Sequence, residues 1–158
     1  MKSPTCTADD IEACKKLAKL AGIDIEEYGR AMFKAGSNIE SRTPKDLFNR
    51  DFKKFSVGDV VIGVGQVNCM EQEEVQNIKV KMKDYISTVT GDNGMDMVFF
   101  MITNVLDGGS EVLCSGKNAS ATISQAFNVG TTDDSVYLDG VVSRKKQMLP
   151  AIMEALQQ

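Results

Sequence analysis

Val60-Val61-Ile62-Gly63-Val64-Gly65-Gln66-Val67 is near-continuously apolar and rich in β-branched residues. That composition predicts a strand buried on both faces, as in an α/β sheet, and the preceding Gly58-Asp59 reads as the turn that leads into it. A long helix is predicted from Glu71 to about Thr90, with acids in its first turn (Glu71, Glu73, Glu74) and Val75, Ile78, Met82, Ile86 and Val89 as its apolar stripe. After the Asp92-Asn93-Gly94 turn, Met97-Val98-Phe99-Phe100-Met101-Ile102-Thr103 reads as a second fully buried strand. Strand, helix and strand in this order set the fold class.

Outward from there the pattern continues. Asp107-Gly108-Gly109-Ser110 turns the chain into Glu111-Val112-Leu113-Cys114, a predicted hairpin partner. A helix over 119–127 and a short strand at Ser135-Val136-Tyr137-Leu138 follow. Toward the N-terminus, Thr7 with Asp10 three residues on predicts a capped helix ending at Gly22, and a second helix runs from after Asp24 to Ala35, with Gly36 past its end. Thr43-Pro44 opens a third, short helix through Leu47 and Phe48. The predicted fold is α/β: a mixed sheet of about five strands flanked by helices, with a helical N-terminal third. Residues 1–7 read as a linker, and 8–158 as a single domain.

The composition, 42% hydrophobic and 25% charged over 158 residues, is that of a globular protein able to bury a real core. No apolar run approaches the ~18–20 residues of a membrane span, and the N-terminus lacks a signal peptide's apolar core, so a cytoplasmic location is expected. A net charge of -4 argues against broad nucleic-acid binding. Cys6, Cys14, Cys69 and Cys114 are widely spaced and read as reduced thiols. The chain contains no histidine, which removes the commonest general base, the commonest metal ligand and every Ser-His or Cys-His pair.

The chemistry concentrates at Val141-Val142-Ser143-Arg144-Lys145-Lys146-Gln147. Two β-branched residues read as the end of a buried strand. A serine and three cations follow, and then an amphipathic terminal helix over 148–156. Free N–H groups and the positive end of a helix dipole at such a junction favour an anion, and the cations make a phosphate-like ligand the natural one. On charge alone a solvated basic turn explains the run equally well. Asp51-Phe52-Lys53-Lys54-Phe55 reads as an extended piece, with Phe and Lys pointing to opposite faces; it fits either a second part of an anion site or an edge strand blunted by lysines. Gly63-Val64-Gly65-Gln66 lacks the third glycine of a dinucleotide loop, so close backbone packing is its better explanation.

Ser143-Arg144-Lys145-Lys146-Gln147 followed by Pro150 resembles the C-terminal signature of the family II, manganese-dependent inorganic pyrophosphatases. Asp51-x-Lys53-x-Phe55 and Gly65-Gln66-Val67-Asn68 resemble two further blocks of the same C-terminal, DHH-associated domain, in the right order. Tyr28-Gly29 through Met32-Phe33-Lys34-Ala35-Gly36 is similar to that domain's helical lead-in. Lys2-Ser3-Pro4-Thr5-Cys6-Thr7 resembles its linker to the catalytic DHH domain.

The resemblance implies the second lobe of a two-domain enzyme that hydrolyses diphosphate to two phosphates. It implies that Arg144, Lys145 and Lys53, with Ser143, contact the substrate phosphates. Manganese, or magnesium or cobalt, would be bound by the absent N-terminal DHH domain and not by this chain, which would be inactive alone; Met1, directly before a linker-like segment, fits a truncated start. The full-length enzyme would be a homodimer. The same lobe from a DHH-superfamily exopolyphosphatase, or a non-catalytic module that binds phosphate ligands, are the alternatives.

Overall fold

A computed structural model describes residues 6–37, 39 and 41–157. The chain divides into two compact units, 1–38 and 39–158. The linker reading of residues 1–7 falls mostly outside the described residues.

The first unit holds α1 (Ala8–Ala21) and α2 (Ile25–Ser37). The Thr7 hydroxyl accepts from the Asp10 N–H at 3.2 Å while the Asp10 carboxylate accepts from the Thr7 N–H at 2.8 Å. This reciprocal cap was legible in the sequence, as was Gly22, which ends α1 in the left-handed region at φ 65°. The expected stop at Gly36 is not observed. α2 continues through that glycine to Ser37, because a glycine costs a helix only a modest amount of backbone entropy and ends one only where φ turns positive.

The second unit is built on one five-stranded sheet in the order β1-β2-β3-β4-β5: β1 (Phe52–Val57), β2 (Val60–Cys69), β3 (Met97–Asn104), β4 (Gly109–Gly116) and β5 (Ser135–Asp139). Only β2 and β3 are parallel; β1–β2, β3–β4 and β4–β5 are antiparallel. The sheet is thus mixed, and the crossover between its parallel strands is α4 (Gln72–Asp92). Every residue of β3 is buried.

Alternation along the strands separates two layers. Val67, Cys69, Val98, Phe100, Ile102 and Leu113 face α3 (Pro44–Arg50) and α4, whose Val75, Ile78, Met82, Ile86 and Val89 form the predicted stripe. Ile62, Val64, Phe99, Met101, Val112 and Cys114 face α5 (Ala119–Phe127) and α6 (Leu149–Ala155). The glycines of β2 serve the first layer. A Cβ on Gly63 would lie 2.6 Å from Met95 Sδ and 2.7 Å from the Phe52 ring, and one on Gly65 2.7 Å from the Phe100 ring. Their flatness admits the Phe48, Phe52 and Phe100 rings, with Phe48 at 4.3 and 6.1 Å from the other two. Close packing, not a nucleotide loop, explains them.

Two expectations are corrected. Val141 and Val142 lie outside any strand: β5 stops at Asp139, and Gly140 turns the backbone at φ 71°. β-branched residues mark buried positions as much as paired ones, and Val141 is buried by packing alone. In β1, phenylalanines and lysines do not segregate. Phe52 and Phe55 are three residues apart, so the period of two puts Phe52 with Lys54 on the α4 layer and Phe55 with Lys53 on the α6 layer. Among the described residues no helix is long and apolar enough to cross a membrane.

Candidate functional site

The layer that faces α5 and α6 is apolar through its middle but ends in polar side chains. Lys53 on β1, Gln66 on β2, Thr103 on β3 and Ser110 on β4 lie toward the end of this layer where the parallel strands β2 and β3 finish, with Asn68 beyond Gln66 on β2. In open α/β sheets that is the end where ligands are held. The segment 140–148 passes over it.

A chain of hydrogen bonds fixes that segment. Gln66 Nε2 donates to Thr103 Oγ1 at 2.9 Å and to the Val142 carbonyl at 3.0 Å. Thr103 Oγ1 and Ser110 Oγ are 2.9 Å apart. Ser110 gives its only proton to the Val141 carbonyl at 2.6 Å, so the Thr103 hydroxyl must donate to Ser110. From above, Gln147 accepts from the N–H groups of Val142 and Ser143, both at 3.0 Å, and donates to the Gly140 carbonyl at 2.7 Å. The turn thereby obtains from side chains the pairing that a strand would have supplied.

Arg144–Met148 is a π-helical turn that runs into α6. Pro150 has no N–H to offer the carbonyl of Lys146, which interrupts the regular i→i−4 ladder at this point. Ser143 starts the turn: its hydroxyl accepts from the Lys146 N–H at 3.2 Å, and its carbonyl accepts from Gln147 and Met148. These bonds take up most of the backbone N–H groups expected to draw an anion here. Among the described residues, only the amides of Arg144 and Lys145 within 142–148 are left to do so, and the site rests on its side chains.

Two of the expected cations, Lys53 and Arg144, meet. Arg144 reaches back to the start of β1: Nη2 donates to Asp51 Oδ1 at 2.7 Å, and Nη1 donates to the carbonyls of Asp51 and, at 3.4 Å, Val64. Val64 is the register partner of Lys53, so Lys53 and Arg144, 91 positions apart in sequence (144 − 53), meet at one strand pair. Among the described residues the ammonium groups of Lys53, Lys145 and Lys146 reach no acceptor, and all three residues are exposed. Lys54 is excluded: it sits on the other layer and donates to the Asn93 carbonyl at 2.9 Å.

Three residues that hold the site were not singled out from the sequence. Asp51, Gln66 and Gln147 each lie inside a block noted for its cations or its order, and that adjacency was the available signal. Among the described residues there is no group of three or more His, Cys, Asp or Glu side chains able to hold a metal ion. The four cysteines are free, and burial pushes the Cys69 and Cys114 thiols up to about 12, which keeps them protonated.

Residues 30–155 match the family model described as the DHHA2 domain. The "Manganese-dependent inorganic pyrophosphatase" of Bacillus subtilis (strain 168) is 39% identical over 98% of this chain and 50% of its own length. The "Cobalt-dependent inorganic pyrophosphatase" of Clostridium perfringens is 37% identical over 98% of the chain and 28% of its own length. Among solved structures, a putative family II inorganic pyrophosphatase of Methanococcus jannaschii superposes with a TM-score of 0.80 at 38% identity, covering 99% of this chain and 50% of that one. The chain spans about half the length, or less, of the relatives it matches. By its family model, its fold and these relatives, the chain belongs to the DHHA2 domain family and corresponds to the C-terminal domain of family II inorganic pyrophosphatases.

Proposed function

We propose that this chain is the substrate-gripping lobe of an inorganic pyrophosphatase that hydrolyses diphosphate to two phosphates. Arg144, Lys145 and Lys53 hold the phosphate oxygens, and the Ser143 hydroxyl, already accepting from Lys146, has its own proton free to donate. An N-terminal DHH domain of the same polypeptide faces this site and carries the metals, manganese or, as in the Clostridium perfringens relative's name, cobalt. Those ions, when bound, supply the activated water and neutralise phosphate charge. This lobe alone is inactive.

The observation that carries the reading is the meeting of Lys53 with Arg144 at one strand pair, with Lys145 next along the same turn and neither lysine ammonium reaching an acceptor among the described residues. Lys53 and Lys145 stand beside the Arg144 guanidinium, whose charge Asp51 already pairs, and like charges this close repel one another until a polyanion relieves them. Diphosphate carries several negative charges, and in-line attack concentrates more on the leaving phosphate. Arg presents a planar fork for two oxygens and Lys a compact point charge. Each cation about 4 Å from a unit negative charge contributes roughly 4 kcal/mol at an effective dielectric of ~20. Closure of the two lobes excludes water and strengthens these contacts.

The test measures phosphate release from diphosphate with Mn²⁺, comparing this chain alone with a polypeptide in which the half present only in the relatives precedes it. Activity in the longer polypeptide alone is expected. There, Arg144→Ala or Lys145→Ala lowers kcat/KM by at least ~10²-fold, the loss typical of one preorganised electrostatic donor. Lys53→Ala lowers it as well, and Lys54→Ala leaves it unchanged. Unchanged kinetics in the Arg144 and Lys145 variants would overturn the assignment, and silence from both polypeptides would favour a binding module without catalysis.

A further inference from the structure

Arg144 is the least exposed of the site's cations, with its side chain 11% accessible, while its partner Asp51 is 50% accessible. A guanidinium has five N–H donors in a rigid fork. Asp51 takes the end formed by Nη1 and Nη2, through its backbone carbonyl and its carboxylate, and the Val64 carbonyl takes the other N–H of Nη1. What remains is the Nε–H and the second N–H of Nη2. These lie side by side on one edge, and among the described residues they have no acceptor. Two parallel donors on one edge are the geometry that takes two oxygens of a phosphate at once.

We propose that Asp51 is a positioning residue that holds Arg144 by one end of its guanidinium so that the Nε–Nη2 edge faces the anion site and takes two oxygens of a diphosphate. The role rests on the phosphate-gripping reading above. It explains why a carboxylate stands inside a site for anions. By charge alone Asp51 repels the ligand; what it contributes to the site is the order it imposes on Arg144. Both contacts spring from one residue at the start of β1, and the Asp51 carbonyl also accepts from the Gln66 N–H at 3.1 Å. The guanidinium is thus fixed to the sheet itself, in register with Lys53 two positions on.

The geometry makes the sign of the effect diagnostic. If Asp51 were only a repelling neighbour, Asp51→Ala would tighten diphosphate binding. If it positions Arg144, Asp51→Ala weakens binding by about 10-fold, as a freed fork must be ordered again at each binding event. Asp51→Asn keeps an acceptor for Nη2 and the backbone carbonyl for Nη1, so it stays within about 3-fold of the unchanged protein, one charge-assisted bond having become a neutral one.

The experiment is a titration of the 158-residue chain with sodium diphosphate, followed by ³¹P resonances and by the Arg144 Nε–H signal in ¹H–¹⁵N spectra. Arg144→Lys, which lacks that signal, assigns it. Thermal unfolding of each variant is recorded alongside. The expected result is a shift of the Nε–H signal on adding diphosphate, weaker binding in Asp51→Ala at unchanged thermal stability, and near-complete rescue in Asp51→Asn. Equal or tighter binding by Asp51→Ala, or Asp51→Asn as damaging as Asp51→Ala, would overturn the positioning role. Arg144→Ala separates the two levels. If it weakens binding while Asp51→Ala does not, only the positioning role fails. If it leaves binding unchanged, or the unmodified chain shows no diphosphate-dependent shift, the gripping reading fails with it.

Discussion

The two layers of the sheet are made by the same strands, one residue out of phase, and they end differently. The layer under α3 and α4 is apolar through Cys69 and Ile102, both fully buried, and its one polar strand end, the buried Asn104 of β3, bonds back to its own turn at Leu106 and Asp107. The layer under α5 and α6 is apolar through Met101 and then becomes Gln66, Thr103 and Ser110, roofed by the segment 140–148. A buried polar group that is fully paired specifies one arrangement of its neighbours, whereas an apolar layer specifies mainly volume. The first layer therefore supplies stability, and the second spends part of its area on holding a basic turn in one conformation.

That contrast can be broken at either layer. The largest expected effect is Phe100→Ala in the α4 layer. The ring packs against Phe48 and fills the space above Gly65, and its loss costs roughly 3–5 kcal/mol in chemical denaturation. Diphosphate affinity of the folded fraction should hold. Gln66→Ala comes next. It strips the Val142 carbonyl and Thr103 of a donor, costs about 1–3 kcal/mol, and, unlike the Phe100 change, also weakens diphosphate binding. An affinity loss from Phe100→Ala equal to that from Gln66→Ala would dissolve the distinction between the layers.

The smallest effect comes from the cap of α3, at the edge of the apolar layer. Bonds from the Thr43 hydroxyl and backbone hold the Asp46 carboxyl below its ordinary value. A depressed carboxylate adds stability above its unfolded-state pKa and loses that contribution as the pH falls through its folded-state value. Asp46→Asn is thus expected to lower the melting temperature at pH 7, with the gap closing as the pH drops below the normal Asp range. A gap independent of pH would mean that the box acts through shape alone.

Much of this molecule was legible in its residue order. The α4 stripe, the fully buried β3, the caps at Thr7 and Thr43 and the stop at Gly22 depend on neighbours within a few residues, and local periodicity and capping chemistry record them. The cationic residues of the site were also visible, as motif blocks. What was misread follows one pattern. Val141-Val142 reads as paired strand because β-branched residues signal burial without saying what buries them. The Phe and Lys residues of β1 were assigned to faces without regard to the spacing of three between Phe52 and Phe55.

By itself the sequence determined the fold class, the order of the elements and the presence of a basic turn near the C-terminus, because each of these is written in short-range pattern. Tertiary structure alone put Lys53 on the layer that carries the turn and Lys54 on the other, since the pleat assigns adjacent residues to opposite layers and only the packing says which layer carries the turn. It alone decided that Asp51 grips Arg144 and that Gln66 and Gln147 hold the turn from below and above. For Asp51 and Gln66 the partner lies more than 70 residues away, and no local period encodes a meeting that depends on strand register; Gln147 lies near its partners, but its role required a turn where pattern predicted a strand.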